Sequence, residues 1–149
     1  KAVGADGVHL GQKDRLPEEA RQILGDGAII GSTVNTFDQI AARCHGETDY
    51  FGLGPFRFTT TKKNLSAILG VEGCRNIAAQ MRAEKIDLPV VAIGGIELED
   101  VPQILRSGMP GVALSGAIAR SVDPKGATAS FLRVLETERT YGPKVSDNL

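Results

Sequence analysis

The densest group of anion-binding side chains is the run Thr59-Thr60-Thr61-Lys62-Lys63. Three hydroxyls and two ammonium groups supply many donors and no balancing carboxylate, which suits a polyanion such as pyrophosphate. A solvated polar loop is the plainer reading of the same residues. Gly94-Gly95 stands between an apolar run and a helix start. Without Cβ atoms, its backbone can approach an anion, and free amides near a helix start bind phosphate. Ser115-Gly116-Ala117 repeats that logic after the next apolar run. For both turns, a purely structural tight turn is the alternative. Asp14, close to Gln12, is a carboxylate just beyond a short strand. Beside a phosphate site it suits Mg²⁺, which often takes one or two carboxylates plus phosphate oxygens. A solvent-exposed aspartate is the competing reading. His9, inside the same strand, reads as a packed core histidine, and His45 as a partner for a helix end.

These residues need elements to hold them, and the chain alternates β-rich runs with amphipathic helices. The strands read as Gly7–Leu10, Ala28–Gly31, Asp49–Leu53, Pro89–Ile93 and Gly111–Leu114. A helix over Pro17–Leu24 has Pro17 at its first position, Glu18 and Glu19 in its first turn, and Gly25 to close it. Thr36 or Asn35 caps a second helix carrying Phe37, Ile40, Ala41 and Cys44 on one face. Two more helices run from Val71 to Lys85 and through Val101, Ile104 and Leu105 to Gly108. Asp123 caps a last helix from Pro124 to about Thr137. The loop from Gly54 to about Leu69 is too long for an ordinary βα turn, and such loops are commonly functional.

Five βα units in a row imply a parallel sheet covered by helices, either doubly wound or closed into a barrel. Small residues at every strand's C-terminal end favour a (β/α)8 TIM barrel, whose chemistry gathers at that face. A barrel needs eight units and usually about 200 residues or more. The chain has 149 residues and begins at Lys1 without a methionine, so about three units are expected upstream. Residues 1–139 read as a partial barrel domain and 140–149 as a polar tail.

Hydrophobic residues make up 42% and charged residues 23%, with a net charge of −1, as in ordinary globular proteins. Dispersed Lys and Arg argue against a nucleic-acid or polybasic membrane surface. No run approaches the ~20 apolar residues of a membrane span, and no signal peptide is visible. A cytoplasmic protein is the expectation. Cys44 and Cys74 fall on apolar helix positions and read as buried free thiols.

Four segments together resemble the thiamine-phosphate synthase family. They are Gly4-Ala5-Asp6-Gly7-Val8-His9-Leu10-Gly11-Gln12-Lys13-Asp14, Asp49-Tyr50-Phe51-Gly52-Leu53-Gly54-Pro55, Thr59–Lys63 and Val91-Ala92-Ile93-Gly94-Gly95-Ile96. The resemblance covers nearly the whole chain apart from the tail. It implies the (β/α)8 fold and the joining of 4-amino-2-methyl-5-hydroxymethylpyrimidine diphosphate to a thiazole phosphate, with Mg²⁺ required. The pyrimidine carbon–oxygen bond then breaks first, and the thiazole nitrogen captures the carbocation. Catalysis is leaving-group stabilisation plus positioning. By resemblance, Asp14 is a Mg²⁺ ligand. Lys62 holds the pyrimidine diphosphate and stabilises the departing pyrophosphate, and Thr33 contacts the same diphosphate. Thr59, Thr60, Thr61, Gly95, Ser115 and Gly116 belong to the thiazole phosphate.

The chain departs from the family pattern at several points. Thr33 stands where the family commonly has Ser, and Ser115-Gly116 where it has an aliphatic residue followed by Ser. The family's Gln/Arg/Lys strand and its Asn-Asp pair fall upstream of Lys1. The segment alone is therefore expected to be inactive, and its open sheet edges to favour a homo-oligomer. Two other readings stay open. One is a thiazole tautomerase of the same superfamily, although its proton-transfer histidine appears here as Asn35. The other is a non-catalytic phosphate-binding half-barrel.

Overall fold

Alternation along the strands sorts the chain into two faces. Val8, Leu10, Ile30, Val34, Phe51, Leu53, Val90 and Ala92 point to one side, where the helices lie. Fully burying one such side chain is worth about 1.5–3 kcal/mol, so this face fixes both the register and the helix layer. The computed structural model describes residues 3–58 and 67–141. Its strands are β1 Gly7–Leu10, β2 Ile29–Val34, β3 Tyr50–Leu53, β4 Val90–Ile93 and β5 Val112–Ala113. All pair in parallel, in the order β1-β2-β3-β4-β5. The α/β class and the parallel sheet expected from the sequence are observed.

The helices are α1 Pro17–Leu24, α2 Phe37–Ala41, α3 Gly70–Ala83, α4 Val101–Arg106, α5 Gly116–Ala119 and α6 Pro124–Tyr141. A 3₁₀ turn, Leu98–Asp100, leads into α4. Several end signals act as read from the sequence. Pro17 starts α1 and Gly25 closes it with a positive φ of 92°. Thr36, rather than Asn35, caps α2 by accepting from the Gln39 amide at 3.4 Å. Asp123 receives the Gly126 amide at 2.9 Å at the start of α6. Cys74, Ile77, Ala78 and Met81 form the buried stripe of α3. No helix among the described residues is long and apolar enough to cross a membrane.

Other expectations need correction. β2 runs three residues beyond Gly31, where Ser32, Thr33 and Val34 pair with Phe51, Gly52 and Leu53 of β3. The Ser32 hydroxyl meets the buried Thr48 hydroxyl at 2.9 Å, and Thr33 finds a side-chain partner of its own. α6 continues through Tyr141, past Thr137, with the Thr137 hydroxyl donating back to the Arg133 carbonyl at 2.8 Å. Cys74 is buried, and burial pushes its thiol up to about 11. Cys44 is only partly buried, since α2 ends at Ala41 and leaves it in the following turn.

The N-terminal pole of the sheet is tied by charge. Asp49, just before β3, accepts the Ile30 amide at 2.6 Å and the Arg21 guanidinium at 2.9 Å. The backbone bond, then Arg21, holds this carboxyl below its usual range.

Candidate functional site

The C-terminal ends of all five strands surround one cavity of about 510 Å³. That is ample for a substrate-sized ligand. After β1, Gly11 to Asp14 form one wall. β2 contributes Thr33 and Asn35, and the turn after β3 contributes Gly54 and Pro55. Ile93 to Glu97 follow β4, and Ala113 to Ala117 with Arg120 follow β5. Asp14, Thr33, Gly95, Ser115 and Gly116 were all singled out from the sequence, and all line this cavity. Thr59, Thr60, Thr61 and Lys62 lie outside the described residues.

Each wall has a local cause. The Asp14 amide donates to the Gly11 carbonyl at 3.1 Å, and Asp14 Oδ2 accepts from the Gly11 amide at 2.7 Å. This tight turn fixes the carboxylate at the rim. Beside it, the Gln12 side-chain amide donates to Asn35 Oδ1 and, at 2.8 Å, to Gln39 Oε1. Asn35 donates in turn to the Gly54 carbonyl. These amides bind the loops after β1, β2 and β3 to one another.

The turn after β4 is shaped by its glycines. Gly94 and Gly95 have φ of 91° and 69°, a region that L side chains rarely enter. A Cβ on Gly95 would lie 2.9 Å from the carbonyl oxygens of both Arg57 and Phe58. The loop after β3 therefore lies directly on this turn. The Phe56 amide donates to the Ile93 carbonyl at 2.9 Å, and the Arg57 amide to the Gly94 carbonyl at 3.0 Å. Beyond the loop, the Leu69 and Gly70 amides return to the Pro55 and Phe56 carbonyls, each at 3.0 Å. Both flanks of the 59–66 segment are thus anchored at the cavity. Arg57 also reaches the buried carboxylate of Asp100, which in addition accepts the Glu97 amide at 2.9 Å and the Gln103 side chain at 3.1 Å.

Thr33 is 6% exposed, and its Oγ1 lies 2.9 Å from His9 Nε2. The other ring nitrogen, Nδ1, lies 3.0 Å from the Tyr50 hydroxyl. His9 is therefore not a packed core histidine. It sits exposed on the sheet face opposite the helices, where Gly31 and Gly52 leave room for the Tyr50 and imidazole rings.

Sequence reasoning missed the Gln12–Asn35–Gln39 network, the His9 contacts and Arg120. Arg120 stands four residues after Gly116, and only that i, i+4 spacing pointed to it in the sequence. No group of three or more His, Cys, Asp or Glu able to hold a metal occurs among the described residues.

Comparison with known proteins bears on this architecture directly. Residues 1–118 match the model of the family described as thiamine monophosphate synthase. The thiamine-phosphate synthase of Bacteroides thetaiotaomicron is 53% identical over 134 residues, covering 90% of this chain and 64% of that protein. That of Phocaeicola vulgatus is 54% identical, with the same coverage of 90% and 64%. The chain thus spans just under two thirds of the length of these curated relatives. Among solved structures, thiamine phosphate pyrophosphorylase from Pyrococcus furiosus superposes with a TM-score of 0.76 at 32% identity, covering 91% of this chain and 61% of that one. Strand order, the glycine-lined cavity and these likenesses agree: the chain belongs to the thiamine monophosphate synthase family.

Proposed function

We propose that the protein containing this chain is a thiamine-phosphate synthase, a transferase that joins a pyrimidine diphosphate to a thiazole phosphate and releases pyrophosphate. One observation carries the reading: five residues that the family resemblance assigns to the two substrates and the Mg²⁺ ion line a single cavity. In this reading, the five strands belong to a (β/α)8 barrel whose remaining units close the sheet between β1 and β5. Residues 1–139 form part of that one domain, and the protein works in the cytoplasm on small molecules, not on nucleic acid or membranes.

The chemistry asks little of nucleophilic side chains. The pyrimidine carbon–oxygen bond breaks and its electron pair leaves with pyrophosphate. The thiazole nitrogen then donates its lone pair to the carbocation. The Thr33 hydroxyl and the Lys62 ammonium hold the diphosphate, and Lys62 stabilises the charge that grows on the leaving group. Thr59, Thr60, Thr61, Gly95, Ser115 and Gly116 hold the thiazole phosphate, so the two reactants meet without a second loss of freedom.

Magnesium fits one described residue. The Asp14 carboxylate is oriented by the Gly11 amide at the cavity rim. A lone carboxylate suits an ion that takes its other oxygens from diphosphate and water. When bound, the ion offsets charge on the diphosphate.

The test is formation of thiamine phosphate by the full-length protein from both substrates with Mg²⁺. Lys62→Ala should cost about 100-fold or more in turnover, as loss of one charge-stabilising donor does. Residues 1–149 alone should give no product. If the full-length protein forms none, the synthase reading falls. A thiazole tautomerase is disfavoured because Asn35, at the position of its expected histidine, carries no titratable proton and is bonded to Gly54 and Gln12. A non-catalytic module that pairs through its sheet edges would bind phosphate and form no product, and sedimentation would report the pairing.

A further inference from the structure

The departure at Gly116 has a structural counterpart. Where the family turn carries a serine, this chain has no side chain. A Cβ placed on Gly116 would lie 2.3, 2.4 and 2.5 Å from Nη2, Nη1 and Cζ of Arg120. The Arg120 guanidinium occupies the space that a side chain at 116 would need. Helix geometry produces this. In α5, side chains tilt toward the N-terminal end, so the residue four positions later covers the turn before it. Both residues line the cavity together with Gly94, Gly95 and Ser115. Among the described residues Arg120 makes no ion pair, a condition it shares with Arg15, Arg43, Arg82, Arg133 and Arg139, but of the described arginines it alone lines the cavity. An arginine left unpaired on a cavity wall, laid over a glycine, offers a planar fork of donors to a phosphate group.

We propose that Arg120 is a phosphate-binding residue of this site, and that Gly116 is the residue that admits it. The inference rests on the reading above for the identity of the phosphate, which is that of the thiazole substrate. The recognition chemistry itself requires only a phosphate monoester. Arg120 adds a charged, forked pair of donors to this turn. The site should therefore discriminate strongly between a phosphorylated thiazole and the corresponding free alcohol. Its affinity should also fall with added salt more steeply than that of a site built from backbone amides alone.

Calorimetric titration of the full-length protein with inorganic phosphate and with the thiazole phosphate tests this directly. Arg120→Ala should weaken both about tenfold or more, and Arg120→Lys should recover part of the loss. Gly116→Ala puts a methyl group where the guanidinium lies and should weaken binding in the same direction. In the Arg120→Ala background it should add little, because the group it displaces is already gone. In steady-state assays the KM for the thiazole phosphate should rise while that for the pyrimidine diphosphate stays unchanged. Arg120 is exposed, so its removal should leave the circular dichroism spectrum intact. If Arg120→Ala binds phosphate as tightly as the parent, or if Gly116→Ala weakens binding equally with and without Arg120, the proposal is overturned. Loss of phosphate binding in a protein that makes no thiamine phosphate would sustain Arg120 and sink only the synthase reading.

Discussion

Thr33 Oγ1 and His9 Nε2 stand 2.9 Å apart across the β1–β2 pair, with Tyr50 closing on the far side of the imidazole at 3.0 Å. A phenol donates readily, and a neutral imidazole that accepts at Nδ1 carries its proton on Nε2. In the tautomer that accepts from Tyr50, that proton goes to Thr33 Oγ1, which would leave the Thr33 hydroxyl to donate into the cavity. On the synthase reading proposed above, Thr33→Val should raise the KM for the pyrimidine diphosphate about tenfold, the usual worth of one hydrogen bond to a charged group. Tyr50→Phe should act in the same direction but more weakly, and should add nothing to Thr33→Val. An unchanged KM in the valine variant would remove Thr33 from substrate binding.

Two glycines should respond very differently to alanine. At Gly54 the new Cβ would lie 2.3 Å from the backbone oxygen of Ile93, with no flexible atom to give way. The cost should exceed about 2 kcal/mol in urea unfolding, since overpacking against backbone cannot relax. At Gly25 nothing lies within 4 Å, and only the φ of 92° opposes a side chain. Gly25→Ala should cost about 1 kcal/mol. Equal losses at the two positions would contradict the packing described for β3 against β4.

The pH dependence of stability should carry a signature of Asp49. Its folded-state carboxyl is held below the ordinary 3.8 by the Ile30 amide first and Arg21 next. A depressed carboxylate stabilises the fold fully above its unfolded value. That contribution disappears as the pH falls through 3.8 toward the lower folded value. Melting curves should show Asp49→Asn less stable than the parent near neutrality, with the gap narrowing in this acid window. A gap that widened on acidification would reverse the assignment.

Thiol labelling should separate the two cysteines. Cys74 is buried, with its thiol pushed up to about 11, and should react only on global unfolding. Cys44 is partly exposed in the turn after α2 and should label in the native protein. Cys44→Ser should abolish the native-state reaction.

The parts of the fold legible in the sequence were those set by neighbours. Pro17, Glu18, Glu19 and Gly25 bound α1 through interactions within one turn, and Asp123 starts α6 in the same way. Glycines at strand ends marked the cavity because tight turns require them locally. The illegible parts were set by distant partners. Ser32 and Thr33 look like the end of a strand until Thr48 and His9 satisfy them, 16 and 24 residues away. Four residues, Gly7 to Leu10, could not show on which face His9 points. That depended on α1, which packs Ala20 under Leu10 and Ile30 and leaves the other side to the imidazole. Arg120 was hidden because α5 is only four residues long, too short for periodicity to reveal that it overlies Gly116.

The interlock between the loop after β3 and the Gly94-Gly95 turn bears on modularity. Each contributes backbone to the other: Phe56 and Arg57 donate to Ile93 and Gly94, while Gly95 exists to let the Arg57 and Phe58 carbonyls in. A designer who grafted either loop alone onto a relative would carry half of a joint. Within a lineage, the same joint ties sequence change on one strand end to change on the next, so the two loops should be inherited and recombined as one unit.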